Sequence, residues 1–282
     1  MISCDLKGGL GNQLFQIMAT IAYCVQYKLP FVFPYSEMLN ERPTYWNTLF
    51  GNIKQYTASP TNFKNPDEIR DILYQHPKYE EPSFGYNEIP KYNDIMLCGY
   101  FQSYKYFENI QSRIADVFDI KFKQIQTRNE FSDLLDSPNI VSMHFRMGDY
   151  KHKQEFHAIL PVDYYINALN TQNGIGRVLV FGEKEDHEEI QDKLKIIKEH
   201  ITTTFVIVDS AIPDWKQMLI MSCCDANIIA NSTFSWWGAY LNQKKDKNVI
   251  YPDIWFGPSM NSSVLDLFPD DWRKVSCQKI DC

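Results

Sequence analysis

The sequence predicts an α/β protein made of two Rossmann-like halves, residues 1–136 and 137–282, with a cleft between them. Three observations carry that expectation. The chain opens on a strand, a glycine-rich turn, an amphipathic helix and a second strand. Residues 140–252 then alternate short apolar runs with helical patterns, the signature of a doubly wound parallel sheet. Finally, 282 residues with 44% apolar content suffice for two ordinary domains, each with its own core.

Each element has its own signal. "MISCDL" reads as a strand, "KGGLGNQ" as a tight turn, "LFQIMATIAYCVQYK" as a helix and "PFVFP" as a second strand. Residues 36–93 are rich in Pro, Asn, Tyr and charge without a clean period, so loops and short helices are expected there. "DIMLCGYF" restores a strand, and "YKYFENIQSRIADVFDI" has helical spacing. In the second half the strands are "IVSMHF", "RVLVFG", "TTFVIVD", "ANIIA" and, last, "KNVIYP". The helices between them are "VDYYINALNTQ", "EDHEEIQDKLKIIKEH", "DWKQMLIMSCC" and "TFSWWGAYLNQK".

Composition excludes several functions. A net charge of −7 argues against DNA or RNA, whose backbone demands a basic surface, but leaves room for one basic pocket. The seven cysteines, at 4, 24, 98, 223, 224, 277 and 282, form no C-x-x-C pair and have no neighbouring histidines at ligand spacing. They read as idle thiols in a reducing compartment, and no metal site is expected. The apolar stretch "LFQIMATIAYCVQY" is too short and interrupted to span a bilayer, and no basic region precedes it. A soluble cytoplasmic protein is therefore expected, in which the glycosylation matches at Asn231 and Asn261 are chance.

Three loops at strand C-terminal ends could carry chemistry. In "KGGLGNQLFQ", Gly8, Gly9 and Gly11 let backbone N–H groups approach a ligand, and a helix starting near Asn12 points its positive end there. The G-x-G-x-x-G fingerprint is not matched, so the alternative is a capped tight turn. In "HFRMGDY", His144 and Arg146 share one face of a strand end, while Met143 and Phe145 face the other way. A guanidinium suits phosphate oxygens; Asp149 either orients Arg146 or His144 or forms a purely structural pair. In "NSTFSWW", Asn231, Ser232 and Thr233 stand at a helix mouth, where they either cap the helix, hold an anion, or do both. Trp236 and Trp237 are expected to pack that helix. No D-x-D is present, and the acidic run "EKEDHEE" reads as a solvated helix start.

At these residues the chain resembles the family 11 glycosyltransferases, the α-1,2-fucosyltransferases. "GGLGNQLFQ", "GYFQSYKYFE" (Gly99–Glu108), "HFRMGDY" and "MSCCDANIIANSTFSWWGAYL" match that family's motifs in order, over most of the chain. The protein O-fucosyltransferases and core α-1,6-fucosyltransferases are more distant relatives. The resemblance implies a GT-B-like fold and an inverting transfer of L-fucose from GDP-β-L-fucose to a glycan hydroxyl. It implies no metal and no other cofactor, with the N-terminal half on the acceptor side and the nucleotide held mainly by the C-terminal half. Arg146 matches the arginine on the diphosphate, with His144 beside it. Ser232 and Thr233 match hydroxyls near that phosphate; Gly11, Asn12 and Gln13 match the N-terminal wall. Asp149, Glu155 and His157 are the candidate general bases, in a loop with no pattern that would hold it rigid.

The chain departs from the family pattern in three places. Met147 stands where a second arginine is usual, and "FGEK" (Phe181–Lys184) replaces an S-D-D run. Gln217 stands where an acid usually accepts both guanine N–H donors. Glutamine offers one acceptor oxygen and a competing NH₂, and Asp214 lies one turn away. Two alternatives follow: the same fold using another UDP- or GDP-linked 6-deoxyhexose, and a non-catalytic module that binds a nucleotide sugar or glycan.

Overall fold

The computed structural model describes residues 1–260 and 262–279; Asn261 and Cys282 lie outside the described residues. The chain divides into two compact units, Met1–Ile120 with Ser263–Pro269, and Lys121–Ser262 with Asp270–Cys282. The division falls ahead of the 136/137 boundary expected from sequence. Helix Ile120–Glu130 goes with the second unit because its polar side chains satisfy helix-end carbonyls there. Gln124 Nε2 donates to the carbonyls of Ser222 and Leu241, each at 3.1 Å, and Arg128 donates to that of Cys223.

The first unit comprises β1 (Ile2–Cys4), α1 (Leu10–Tyr27), the short antiparallel pair β2 (Met38–Leu39) and β3 (Arg42–Pro43), α2 (Pro66–Gln75), β4 (Lys78–Glu80), β5 (Ile95–Cys98) and α3 (Ile114–Val117). Its main sheet has the order β1-β5-β4 and is parallel throughout. The expected strand "PFVFP" makes only isolated bridges, Ile2 to Phe31 and Phe33 to Thr57. Pro30 and Pro34 have no N–H to extend a ladder. The helix expected from Tyr104 onward is broken into 3-10 turns at Tyr104–Tyr106 and Glu108–Arg113 before α3. Phe107 (φ −130°) and Ile110 (φ −122°) leave helical geometry as their side chains are buried, so tertiary packing overrides the helical spacing.

The second unit holds α4 (Ile120–Glu130, entering from the first), α5 (Ser132–Leu135), β6 (Ile140–His144), α6 (Val162–Asn170), β7 (Arg177–Phe181), α7 (His187–His200), β8 (Thr204–Ile207), α8 (Asp214–Cys223), β9 (Ala226–Ile228), α9 (Thr233–Tyr240), β10 (Asn248–Pro252) and β11 (Arg273–Val275). A six-stranded parallel sheet runs β11-β10-β9-β6-β7-β8. β11 lies beyond the strand expected to be last. Alternate residues feed opposite faces. Val141, Met143, Val178 and Val180 pack with Tyr164, Leu169, Ile190 and Leu194 of α6 and α7. Ile140, Leu179 and Phe181 pack with Ile220 and Met221 of α8. Helices thus cover both faces, the doubly wound arrangement expected.

β7 and β8 extend from one side of β6; β9, β10 and β11 extend from the other. The order in which the chain adds strands reverses between β6 and β9, and in open α/β sheets the loops leaving such a switch point form the ligand crevice. Those loops begin at Phe145 and Ile229. Behind them Trp236 and Trp237 are fully buried, Trp236 stacking on Tyr240 at 4.6 Å and lying 5.3 Å from Trp272. The packing role expected of both tryptophans is the one they have.

The cysteines at 4, 24, 98, 223, 224 and 277 are free and buried. Burial pushes the Cys98 thiol up to about 11 and those of Cys24 and Cys277 to about 12, which keeps them protonated and unreactive. Among the described residues no helix is long and apolar enough to cross a membrane.

Candidate functional site

The site builds outward from the end of β6. Met143, Phe145 and Met147 enter the core, as the alternation across a strand requires, and leave His144 and Arg146 on the opposite side. Met147, at the position of the family's second arginine, is thus a core residue. Phe145 N–H still pairs with Phe181 carbonyl at 2.8 Å, so the ladder holds the backbone up to Arg146. The chain then turns through a 3-10 segment, Gly148–His152.

Arg146 is enclosed on three sides. One terminal nitrogen donates to Asp149 and the other to Glu183, and its guanidinium carbon lies 4.9 Å from the centre of the Tyr150 ring. Its side chain is 17% exposed. Asp149 therefore pairs with Arg146, as both the orienting and the purely structural reading expect. Glu183 belongs to the "FGEK" departure and reaches Arg146 from the end of β7. Gly148 makes room for it: at φ +27°, it lies where a Cβ would strike the Glu183 carboxylate.

The acidic run after β7 is not uniformly solvated, contrary to expectation. Lys184, Glu185 and Glu188 are exposed, but Asp186 is buried. Its carboxylate accepts Gly148 N–H at 2.7 Å and Lys151 Nζ at 2.8 Å, while Lys151 also pairs with Glu189 at 2.9 Å. Asp186, the N-cap residue of α7, continues the spacing of its buried Ile190, Leu194 and Ile197, so helical spacing alone marks Asp186 as inward-facing.

His144 is buried, with its ring 5.6 Å from that of Phe234. Nδ1 has no hydrogen-bond partner among the described residues. Burial and the Arg146 charge push its pKa down to about 3, so at neutral pH it is an uncharged imidazole.

The loop after β9 closes the other side. Ser232 is the N-cap of α9, its hydroxyl accepting Phe234 N–H at 3.3 Å, so capping is observed. Thr233 begins the helix and is partly exposed. Asn231 is buried, and its Nδ2 donates to the carbonyls of Ala158 at 2.8 Å and Trp255 at 3.0 Å. It works as a strut between loops. The loop carrying the candidate bases is also anchored, against the expectation of mobility. Gly257 N–H donates to Phe156 carbonyl and Ser259 N–H to Glu155 carbonyl, both at 2.8 Å. Glu155 itself is exposed. His157 stacks on Tyr150 at 4.4 Å, and burial lowers its pKa.

Gln217 lies in the first turns of α8 with its Nε2 turned back onto Ile212 carbonyl at 2.7 Å. Asp214, at the start of α8, accepts Trp215 N–H at 2.7 Å.

The first unit keeps its own residues together. α1 starts at Leu10, so Gly11 and Asn12 already lie in its first turn and Gly9 is the N-cap. Gln13 is fully buried, and its Nε2 donates to the carbonyls of Gly8 at 3.0 Å and Pro43 at 2.9 Å. Gln16, likewise buried, exchanges hydrogen bonds with the backbone of Lys7 at 2.9 and 2.8 Å. These glutamines hold the glycine turn. Asn12 accepts from Gln102 Nε2 at 3.0 Å, which joins the first turn of α1 to the loop after β5. In sum, the structure brings together His144, Arg146, Asp149, Asn231, Ser232 and Thr233 at one switch point, and Gly9, Gly11, Asn12 and Gln13 around a second turn. Sequence reasoning missed Tyr150, Glu183 and Asp186.

Residues 68–273 match the family described as Glycosyl transferase family 11. The O-antigen biosynthesis glycosyltransferase WbnK of Escherichia coli is 30% identical, over 96% of this chain and 99% of its own length. An alpha-1,2-colitosyltransferase of Escherichia coli is 26% identical over 98% of this chain and 99% of its own. A galactoside 2-alpha-L-fucosyltransferase of Caenorhabditis elegans is 27% identical over 99% of this chain and 80% of its own.

Proposed function

Since the chain belongs to glycosyl transferase family 11, we propose that it transfers L-fucose from GDP-β-L-fucose to a glycan hydroxyl, forming an α-1,2 linkage with inversion and without a metal. The observation that carries this reading is the position of Arg146 at the switch point between β6 and β9, linked through Tyr150 to the loop that leads into the capped N-terminus of α9. A departing diphosphate needs positive charge fixed in place before the bond breaks. Arg146 supplies a guanidinium held among Asp149, Glu183 and Tyr150, and α9 adds its partial positive end. His144 lines the site as a neutral group and adds no charge.

In an inverting transfer the acceptor hydroxyl attacks the face opposite the leaving group as its proton passes to a base. Asp149 is committed to Arg146 and His157 to its stack on Tyr150. Glu155, exposed on an anchored backbone, is the carboxylate that suits the base. This reading assigns the donor to the second unit and the acceptor to the first.

One observation favours a second reading. Gln217, its Nε2 held by Ile212 carbonyl, presents one acceptor oxygen where a carboxylate presents two, and a relative is named for colitosyl transfer, so another nucleotide sugar is the competing donor. Thermal-shift titration with GDP, UDP and dTDP identifies the nucleotide base, and turnover of GDP-fucose identifies the sugar. The fucosyl reading expects stabilisation by GDP and turnover of GDP-fucose that is lost in Arg146→Ala. Stabilisation by UDP or dTDP alone would sink it. Binding without turnover in the wild type would instead support a non-catalytic module.

A further inference from the structure

Arg146 carries one positive charge, yet two carboxylates bind it, leaving the cluster with a net charge of −1. A diphosphate arriving there brings further negative charge, and like charges in contact oppose binding. The two acids are not equivalent. Asp149 comes from the same turn as Arg146 and orients it locally. Glu183 comes from the end of the neighbouring strand and takes the other terminal nitrogen, one of the pair of donors that a phosphate fork needs. The Glu183 side chain is 41% exposed and can swing into water; Asp149 is as open at 46% but is tethered to Arg146 within one turn, whereas Glu183 reaches over from another strand.

We propose that Glu183 is an affinity-setting competitor: its carboxylate and the donor's diphosphate contend for the same guanidinium of Arg146, and donor affinity is set by how readily Glu183 gives way. This rests on the reading of Arg146 as the diphosphate site. Glu183 acts through Arg146 and is therefore a positioning residue. Gly148 belongs to the device, since a side chain there would drive Glu183 off Arg146.

The test is calorimetric titration of the full chain with inorganic pyrophosphate and with GDP, comparing wild type, E183Q, D149N and R146A. Competition expects E183Q to bind both about fivefold more tightly, the worth of an exposed ion pair expressed as a ratio. D149N, which loses the orienting acid, is expected to bind both more weakly. Glu183→Ala serves in place of E183Q if the latter fails to fold. In steady state the same gain appears as a lower donor KM, which a merely structural role would not produce. Pyrophosphate binding no tighter in E183Q than in wild type overturns the proposal, and so does an absence of Arg146-dependent binding in both. Arg146-dependent pyrophosphate binding without GDP binding or GDP-fucose turnover overturns only the choice of donor.

Discussion

The phenol of Tyr150 donates to the carbonyl of Asn231 at 3.1 Å, and its ring lies against both Arg146 and His157. One side chain thus ties the loop after β6 to the loop after β9, on either side of the switch point. Tyr150→Phe keeps the ring and loses the tie, so stability should fall by about 1 kcal/mol, with a severalfold rise in donor KM. Tyr150→Ala also removes the face beneath the guanidinium, and turnover should fall further than for Phe. Thermal melts and donor saturation curves on both variants check this. Equal effects of Phe and Ala would show that the ring contributes nothing.

Gln13 raises the opposite question, whether a motif residue serves ligand or fold. Its buried amide holds the carbonyls of Gly8 and Pro43. Gln13→Met keeps the shape and leaves both carbonyls without that donor, which should cost about 2 kcal/mol. A denaturant titration should show the loss in full in the absence of any substrate. Unchanged stability with lost activity would mean that the amide serves a ligand instead.

The sequence was most readable where burial is complete. "IVSMH" and "RVLVF" are continuous apolar runs because β6 and β7 are covered on both faces, and each is found where expected. β4 and β11 were missed because each is an edge strand of three residues, "KYE" and "RKV", too short and charged to show a period. The site divides in the same way. Arg146 and Ser232 could be found because strand ends and helix caps leave local signals. Glu183 and Tyr150 matter through partners that the sheet brings from other strands, and no local pattern encodes those pairings. The loop around Glu155 looked mobile because its anchors, Gly257 and Ser259, are remote in sequence.

His144 should leave its mark on acid stability. Folding holds it neutral, with a pKa near 3 against an ordinary 6.5. Above pH 6.5 both folded and unfolded forms are uncharged, and the residue has no effect on stability. Below it the unfolded chain takes up a proton that the folded chain refuses, so stability falls by about 1.4 kcal/mol per pH unit until the folded pKa is reached. His144→Phe removes that proton uptake. Its stability should therefore decline less steeply between pH 6.5 and 4 than that of the wild type, whatever its value at pH 7. Parallel slopes in urea titrations across that range would show that His144 is protonated as readily in the fold as outside it.

Gly257 tests the anchoring of the Glu155 loop. Its N–H bonds to Phe156, and a Cβ at 257 would collide with the backbone carbonyl oxygens of Gln154 and Glu155. Backbone atoms cannot rotate away as a side chain would, so Gly257→Ala must push the two segments apart. Crowding of this kind costs about 1–3 kcal/mol where the neighbours are fixed. If Glu155 is the base, its displacement by a fraction of an ångström should lower kcat by about tenfold or more while leaving GDP affinity near that of the wild type, because the Arg146 loop is held separately by Asp186. Glu155→Gln should lower kcat with little change in stability, since the side chain is exposed. If kcat survives in Glu155→Gln but falls in Gly257→Ala, the loop matters for its shape and the proton leaves by another route.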